Sequence, residues 1–298
     1  MEGVSEGSFV QVLSAAKLVR AWFTPFIRIS NGVPRLSKLR THVQPYLDTG
    51  LPVIAQIMGT RTEILAEVAA RLHTLGVICV DLNCGCPSQT VLSSHSGGWH
   101  LQEPLWIRDT LLAMRKACGK HAISVKIRCG FESVLEMPAI ADAINEVQPD
   151  LVTSHFRTVR EMYRPIPDGL ERLAKMRQLM PSLPLIGSGD LFTVEDAVRM
   201  QECTGVDGVA PARGLMTNPA LLRLIESACG GEPFMALTDD ESRLAFLRRL
   251  GEVSGRSPRH QGFVLKLAKY MFGESSHQFA SLRLEGIGGS PKNTNIQE

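Results

Sequence analysis

The sequence lacks any apolar run of the roughly 18 residues that a membrane-spanning helix requires. Its first residues, MEGVSEGSFVQ, are acidic and polar, which excludes a secretory signal peptide. These two absences together predict a cytoplasmic protein.

The sequence also lacks the cysteine pattern of a disulfide framework. Its seven cysteines are odd in number and irregularly spaced in a long chain. No pair of CxxC motifs and no HExxH motif indicates a zinc site. We expect most of the thiols to be buried small apolar groups. The cysteines are Cys79, Cys84, Cys86, Cys118, Cys129, Cys203 and Cys229.

A strong overall charge is absent as well, since the net charge is only +2. Its distribution is nevertheless uneven. Residues 241–298 hold nine Lys and Arg against five Asp and Glu, which is +4 and leaves −2 for the rest. This excess is compatible with a solvated helical surface or with a surface that contacts a phosphate backbone.

Short β-rich runs alternate with helical patterns between residues 20 and 230. The pattern TEILAEVAARLHTLG is predicted to have Thr62 as its N-cap and to stop at Gly76. Such alternation predicts parallel strands covered by helices, and nearly continuous apolar strands indicate burial on both faces. The seven predicted strands lie at 22–29, 52–58, 77–82, 123–128, 150–156, 183–188 and 206–211.

The strand pattern stops near residue 235, and the helical patterns DDESRLAFLRRLGEV and HQGFVLKLAKYMFG follow. We therefore predict an α/β protein, a (β/α)₈ TIM barrel over residues 1–234 that lacks most of its first strand. A small C-terminal helical domain is predicted over residues 235–298, with a disordered tail from about residue 286.

Polar residues follow the predicted strands at their carboxyl ends, where a barrel of this type carries its chemistry. Lys126 lies inside an apolar strand, and an interior lysine is seldom buried without a partner. Each polar residue alone has a structural explanation, but a ring of them at one mouth is what a ligand site needs. The ring comprises Gln56, Asp81, Asn83, Cys84, Cys86, Lys126, Arg128, His155, Arg157, Ser188, Asp190 and Arg213.

Two consecutive strand ends carry small residues, GSGD at 187–190 and ARG at 212–214. Small residues at the seventh and eighth strand positions of a barrel let backbone N–H groups approach a phosphate, and Arg213 can add charge. These two turns predict a phosphate site.

Six segments occur in the order and spacing of one enzyme family. They are MEGV, VDLNCGCPSQTV, SVKIRCG, SHFRT, LIGSGD and ARGLMTNP, and DLNCGCP is the most specific of them. From Met1 to about residue 285 the sequence resembles the tRNA-dihydrouridine synthases, and in detail their bacterial DusC branch, which acts on position 16 of the tRNA D-loop. The resemblance implies an FMN-binding barrel, a helical tRNA-binding domain and NADPH as reductant.

The resemblance also implies roles for individual residues. Gln56 and Lys126 would hold the flavin ring, with Lys126 near its N1–C2 edge, where charge builds on reduction. Asn83 would meet the substrate base, and Arg157 would contact the substrate. The remaining flavin contacts would be Met1, Glu2 and His155, with Ser188, Gly189, Asp190, Ala212 and Arg213 at the phosphate.

Cys86 would be the catalytic acid, again by resemblance. Reduced FMN would deliver hydride to C6 of the uracil ring, and Cys86 would give a proton to C5 from the opposite face. A thiol is mostly protonated at neutral pH and can act as a donor. Gly85 and Pro87 would fix the turn that aims it. Cys84 is predicted to pack, and a Cys-x-Cys metal site is the alternative interpretation.

The sequence departs from the family pattern at several positions. Ser188 stands where the family has Asn, and Phe156 and Ala212 stand where it has Gly. Trp99 and His100 are unusual in the loop after Cys86, and His100 is not expected to be catalytic. The family has a strand ending in Ala-Pro before the MEG segment, so we expect the first strand of the barrel to be missing.

Three functions are compatible with this sequence. The first is a tRNA-dihydrouridine synthase, a monomeric oxidoreductase without a membrane or stable protein partner. The second is an FMN barrel reductase of a free small molecule, and the third is a non-catalytic tRNA-binding relative with a degraded flavin site. The basic helical region and the Cys-Gly-Cys-Pro turn favour the first.

Overall fold

The computed structural model describes residues 7–30, 32–255 and 258–285, without the side chains of 258–260 and 285. Met1 and Glu2, the predicted flavin contacts at the start of the chain, lie outside these residues. The predicted disordered tail from residue 286 also lies outside them.

One parallel sheet forms the centre of the molecule. Its strands follow the chain order, so the connection after each strand returns to the adjacent position, as in a barrel. The strands are β1 (Trp22–Phe23), β2 (Ile27–Ile29), β3 (Val53–Gly59), β4 (Cys79–Asn83), β5 (Ala122–Arg128), β6 (Leu151–His155), β7 (Leu185–Ser188) and β8 (Gly208–Val209).

The first two strands share one position, because both β1 and β2 pair with β3. The single strand predicted over 22–29 is therefore interrupted. Pro25 has no N–H to donate to the ladder, and Thr24 uses its hydroxyl to accept from the backbone N–H of Gln56 at 3.1 Å. With this correction, all seven predicted strand positions are present.

The sheet curls but stays open at one seam within the described residues. No hydrogen-bonded pairing joins β8 to β1 among the residues that the structure places. The fold class is confirmed as a parallel α/β sheet with the order of a TIM barrel, followed by a helical C-terminal region.

Helices cover the outer face of the sheet and follow the barrel. They are α1 (Gly7–Ala15), α2 (Leu36–Leu47), α3 (Thr62–His73), α4 (Gln89–Leu92), α5 (Pro104–Cys118), α6 (Met137–Asn145), α7 (Gly169–Leu179), α8 (Val194–Thr204), α9 (Gly214–Thr217), α10 (Leu221–Ala228), α11 (Asp240–Ser254), α12 (Pro258–Phe272) and α13 (His277–Glu285). Two 3₁₀ helices, Gly97–Gln102 and Val134–Glu136, lie in the loops after β4 and β5.

The predicted cap of α3 is wrong by one residue. Thr62 is the first helical residue, and Arg61 is the cap without a side-chain hydrogen bond. The Thr62 hydroxyl instead forms a hydrogen bond of 2.8 Å with the hydroxyl of Thr110 on α5. The side chain that the sequence assigns to capping therefore joins two helices.

The core lies between the sheet and its helices, as continuous apolar strands predict. Every residue of β3 is buried, and Ile57 and Leu82 are at most 1% exposed. Burying one such side chain contributes about 1.5–3 kcal/mol. All seven cysteines are free, as predicted, and no described helix is long and apolar enough to cross a membrane.

The C-terminal helices pack onto the barrel through α1. The ring of Phe9 meets the ring of Phe263 edge-on, with centroids 5.7 Å apart. The hydroxyls of Ser8 and Ser254 form a hydrogen bond of 2.7 Å. α12 also packs against α9, the short helix that follows Arg213. The predicted domain boundary at residue 234 stays a prediction.

Candidate active site

The register of the sheet brings most of the predicted polar residues together. Gln56 is the Cα partner of Asp81, and Asn83 is the partner of Lys126. His155 is the partner of Arg128 on one side and of Ser188 on the other. Because these pairs lie toward the carboxyl ends of β3 to β7, the predicted ring forms at that mouth.

A chain of three polar side chains crosses β3 and β4. The Gln56 side chain donates from Nε2 to Asp81 Oδ2 at 2.7 Å, and Asn83 Nδ2 donates to Gln56 Oε1 at 2.7 Å. Ser124 donates to the second oxygen of Asp81 at 2.7 Å. Each amide keeps one N–H that no described residue accepts, so the pair can donate to carbonyl oxygens such as those of a flavin or uracil ring.

The turn that carries Cys86 is held from three directions. Asn83 Oδ1 accepts the backbone N–H groups of Gly85 and Cys86, both at 3.1 Å. Arg128 Nε donates to the Gly85 carbonyl at 2.8 Å. Gly98 donates its N–H to the Cys86 carbonyl at 3.0 Å. The position of the half-buried Cys86 is therefore fixed through its backbone.

Glycines allow the chain to approach this turn closely. A Cβ on Gly85 would lie 3.4 Å from the backbone of Ile127, and one on Gly98 would lie 2.8 Å from the Cys86 carbonyl oxygen. Gly97 has a φ of +60°, a conformation that other residues seldom adopt. The segment Gly97–Gly98 thus forms the support beneath Cys86.

Lys126 brings an ammonium group to this mouth. Burial and the charge of Arg128 together lower the pKa of Lys126 to about 8, although Asp81 opposes the shift. None of the described residues forms a hydrogen bond or ion pair with its Nζ. A half-buried cation without a hydrogen bond or ion pair to the described residues is ready to bind an electron-rich ligand group.

His155 lies in a strongly cationic environment. Burial lowers its pKa below the usual range, and Arg128, Lys126 and Arg157 lower it further. The backbone N–H of Arg157 donates to His155 Nδ1 at 3.2 Å, which leaves the proton on Nε2. His155 is thus a neutral hydrogen-bond donor.

Asp190 joins the two arginines at the predicted phosphate end. Arg157 donates to both oxygens of Asp190, to Oδ1 at 3.0 Å, and Arg213 donates to Oδ1 at 2.5 Å. Burial raises the pKa of Asp190, but the hydrogen bonds and charges of the arginines outweigh burial and lower it. Two guanidinium groups against one carboxylate leave one positive charge.

Arg157, the predicted substrate contact, has a buried side chain. Its guanidinium is 1% exposed, and its Nε donates to the Arg164 carbonyl at 2.5 Å. Arg157 therefore holds Asp190 from the buried side, whereas Arg213, its second partner, is 34% exposed. A direct contact between Arg157 and substrate stays a prediction, which this burial does not favour.

Phe156 fills space that two glycines leave open. A Cβ on Gly189, which has a φ of +134°, would lie 2.3 Å from the Phe156 ring, and one on Gly169 would lie 2.9 Å from it. Ser188 Oγ, the family's Asn position, donates to the Ala210 carbonyl at 3.2 Å. The Phe156 ring is thus accommodated between β6, β7 and α7.

The residues present fit a flavin mononucleotide. At the ring end, Lys126, His155 Nε2 and the free N–H groups of Gln56 and Asn83 are donors. At the other end, the net positive charge around Arg213 meets the backbone N–H groups of Gly189 and Asp190, which donate to no described residue. A donor-rich ring site and an anion site are what this group requires.

The loop after Cys86 carries aromatic residues that have structural contacts. The His95 ring stacks on Trp99 with centroids 4.3 Å apart, and His100 stacks on Trp106 at 3.3 Å. His100 is buried, and its Nε2 lies 3.0 Å from the Gly59 carbonyl. These contacts hold the loop against the end of β3 and give His100 a structural role.

Two site residues were not assigned a role from sequence. Asp81 orders the amides, and Arg128 links Gly85 to the carbonyls of Thr158 and Met162 at 2.9 and 2.8 Å. The signal for both is a charged residue inside an apolar strand. Among the described residues, no group of three or more His, Cys, Asp or Glu side chains could hold a metal ion.

A family model described as "Dihydrouridine synthase (Dus)" matches residues 1–271. The chain belongs to the dihydrouridine synthase family. This membership agrees with the resemblance of the Cys86 turn and of the strand ends to that family.

Three relatives of the family, each named tRNA-dihydrouridine(16) synthase, cover most of the chain. The protein of Yersinia pestis is 33% identical over 76% of this chain and 74% of its own. That of Shewanella oneidensis is 30% identical over 86% and 81%. That of Escherichia coli K12 is 29% identical over 98% and 93%.

Solved structures agree with the fold. The crystal structure of TcOYE with pHBA has a TM-score of 0.56 at 11% identity and covers 76% of this chain and 85% of that one. A variant of NCR from Zymomonas mobilis has a TM-score of 0.54 at 14% identity and covers 78% and 82%. At this identity the likeness concerns the fold alone.

Proposed function

We propose that this member of the dihydrouridine synthase family is a flavin-dependent tRNA-dihydrouridine synthase. It reduces a uridine of the tRNA D-loop, at position 16, to 5,6-dihydrouridine with FMN as cofactor and NADPH as reductant. Support comes from the family match and from relatives named tRNA-dihydrouridine(16) synthase that cover up to 98% of the chain.

One observation of the site carries the proposal. The backbone of Cys86 is fixed by Asn83 and Gly98, and Asn83 is itself the strand partner of Lys126. A proton donor on one side of a donor-rich ring site is the arrangement that reduction of a uracil double bond needs. The contacts of this turn give no support to a degraded site.

The reaction adds a hydride to C6 and a proton to C5, so the C5–C6 double bond becomes single. FMN, when bound and reduced, supplies the hydride. Cys86 Sγ–H gives its proton to C5, and the resulting thiolate recovers a proton from water. Such a general acid contributes about 10²- to 10⁴-fold to the rate.

The remaining residues bind and orient. Lys126 holds its ammonium where negative charge builds on the ring, and His155 donates from Nε2. Asn83 offers its free N–H to a carbonyl oxygen of the uracil. Arg213 and the N–H groups of Gly189 and Asp190 bind the phosphate, with Asp190 keeping the guanidinium in place.

Loading the chain with FMN and incubating it with NADPH and an unmodified tRNA transcript tests the proposal. We expect one dihydrouridine per tRNA, mapped to position 16 by mass spectrometry of nuclease fragments. A transcript with cytidine at position 16 is the matched control and should gain none.

Other outcomes separate the alternatives. tRNA binding without any product would support a non-catalytic relative. Rapid reduction of free uracil derivatives, with no preference for tRNA, would support a small-molecule reductase. Either result contradicts the proposal.

A further inference from the structure

We infer that Asp81 is a positioning residue, which sets the orientation of the Cys86 turn through the amides of Gln56 and Asn83. The link from this turn to catalysis rests on the proposed function, but the link from Asp81 to the turn does not. The four residues lie in one hydrogen-bonded chain from β3 and β4 to the loop.

Both ends of this chain have a fixed direction. An ionised carboxylate only accepts hydrogen bonds, so Gln56 must turn its NH₂ group toward Asp81. A backbone N–H only donates, so Asn83 must turn its oxygen toward Gly85 and Cys86. The bond between the two amides then runs from Asn83 Nδ2 to Gln56 Oε1, which is the bond observed at 2.7 Å.

Exchanging the oxygen and NH₂ positions of either side-chain amide is costly because it breaks hydrogen bonds on both sides of that amide. If Gln56 flipped, its oxygen would face the Asp81 carboxylate and its NH₂ would face the NH₂ of Asn83. If Asn83 also flipped, its NH₂ would face the N–H groups of Gly85 and Cys86. The carboxylate thus selects one arrangement of both amides, and with it the acceptor that holds the turn.

Burial of Asp81 stabilises this orientation of the two amides. Asp81 is 0% exposed, and its second oxygen is occupied by Ser124 Oγ at 2.7 Å, so water does not replace Gln56. The titratable groups around it are Lys126 on β5, whose charge stabilises the carboxylate, and the thiols of Cys79 and Cys84 on its own segment. Burial raises the pKa values of both thiols, so they stay neutral.

Hydrogen exchange of the Gly85 and Cys86 backbone amides reports on this series of hydrogen bonds independently of enzymatic activity. Asp81→Val removes the acceptor, and we expect both amides to exchange about fivefold faster or more, as loss of one hydrogen bond implies. Ser124→Ala is the matched control, because it removes the other bond to Asp81 and leaves the bond to Gln56. In this variant the amides of Gly85 and Cys86 should exchange within about twofold of their wild-type rates.

A charge-swapped pair tests the direction of the bonds. In the double variant Asp81→Asn, Gln56→Glu, the amide at 81 donates to the carboxylate at 56, which also accepts from Asn83. The orientation of Asn83 is therefore kept, and exchange at Gly85 and Cys86 should return to within about twofold of the wild type. Because this pair conserves shape and charge, it also serves if Asp81→Val fails to fold.

Three results would overturn the inference. They are wild-type exchange in Asp81→Val, faster exchange in Ser124→Ala that matches Asp81→Val, and unprotected amides in the swapped pair. The dihydrouridine assay runs in parallel on the flavin-loaded proteins. A wild-type chain that forms no product would sink the proposed function, while the exchange rates would still decide on Asp81.

Discussion

Three charged residues, Asp81, Lys126 and Arg128, lie on the mostly apolar strands β4 and β5. Burying a charge costs several kcal/mol unless partners compensate it. Burial raises the pKa of Asp81 to about 6 and lowers that of Lys126 to about 8, so the two groups are pushed toward each other's range. Such opposed shifts are typical of functional sites and less common in purely structural ones.

Cys86→Ala should abolish most dihydrouridine formation and leave flavin binding unchanged. The thiol is proposed to donate the proton on the side of the base away from the flavin, and losing a general acid costs about 10²- to 10⁴-fold. Product formation on unmodified tRNA and flavin absorbance of the purified variant are the two measurements.

Cys84→Ala is the matched control for this prediction. Cys84 is fully buried in the core two residues away, so its loss leaves a small cavity and costs on the order of 1 kcal/mol without altering the proton donor. Product formation that stays within about threefold of the wild type in Cys86→Ala would disprove the assignment.

Acid should affect stability and activity in opposite directions through Asp81. Its pKa of about 6 exceeds the value of about 3.9 in an unfolded chain, so the folded chain binds this proton more tightly. The resulting stabilisation is complete below pH about 4 and is lost as the pH rises through about 6. Protonation also removes the fixed acceptor for Gln56, so turnover should fall below pH 6.

Comparison with Asp81→Asn isolates this proton from other titrations. As the pH is lowered from 7 to 4, the melting temperature of the wild type should rise relative to that of the variant. The acid limb of the turnover profile should be flatter in the variant. A constant difference in melting temperature over this range would show that Asp81 does not titrate there.

At the scale of elements, the 3₁₀ helix Gly97–Gln102 and the Cys86 turn act as one unit. Gly98→Ala should disturb both, since its Cβ would lie 2.7 Å from Val159 Cγ2 and 2.8 Å from the Cys86 oxygen. We expect a loss of stability of about 1–3 kcal/mol and a fall in turnover that can reach about 10² if the thiol moves by 1 Å. Urea denaturation and single-turnover assays measure the two effects.

Gly262→Ala provides the same substitution where space is open. No atom lies within 4 Å of the added methyl group, and Gly262 is exposed in the interior of α12. This variant should gain about 0.5–1 kcal/mol and keep its turnover at saturating tRNA. Equal behaviour of the two alanine variants would mean that the support beneath Cys86 is unimportant.

The sequence predicts most elements because hydrophobic periodicity is a local property. It does not predict the interruption between β1 and β2, which depends on Pro25 and on the hydroxyl of Thr24 bonding another strand. Nor does it predict α1, whose buried Phe9 packs against Phe263 on α12, far later in the chain. Both features depend on contacts between distant segments.

The candidate site likewise contains features that the sequence predicts and features that depend on contacts between distant segments. Strand ends identify Gln56, Lys126 and His155 from sequence, because parallel strands bring their carboxyl ends to one edge. The pairing of Arg157 with Asp190 depends on side-chain conformations at the ends of two strands. The insertion of Phe156 between Gly169 and Gly189 likewise requires the packed structure.

On the scale of the whole molecule, the basic helical region adjoins the mouth. α12 packs against α9, which begins directly after Arg213. Under the proposed function, we predict that the exposed cations of α11 and α12 contact the bound tRNA. They are Arg248, Arg249, Lys266 and Lys269.

Replacing these four residues with Gln should weaken tRNA binding and flatten its salt dependence. Each lost phosphate contact reduces the steepness of log K against log salt by about 0.7–0.9, so four lost contacts should reduce it by up to about 3.6. Arg249 and Lys269 have acidic partners, Glu252 and Glu274, so the fall can be smaller than the count of cations implies. Reduction of bound flavin by NADPH should not change, because that chemistry belongs to the barrel.

The control quartet lies on or directly after barrel helices and replaces Lys116, Lys120, Lys175 and Arg199 with Gln. The loss of charge is the same, but Lys116 lies in the last turn of α5 and Lys120 follows this helix, whose carboxyl end faces away from the mouth in a barrel of this type. A long-range effect of net charge would weaken binding equally in both quartets, whereas a local interface weakens it in the first alone. Filter binding across 50–200 mM salt distinguishes them, and equal slopes in the two quartets would contradict a tRNA surface on α11 and α12.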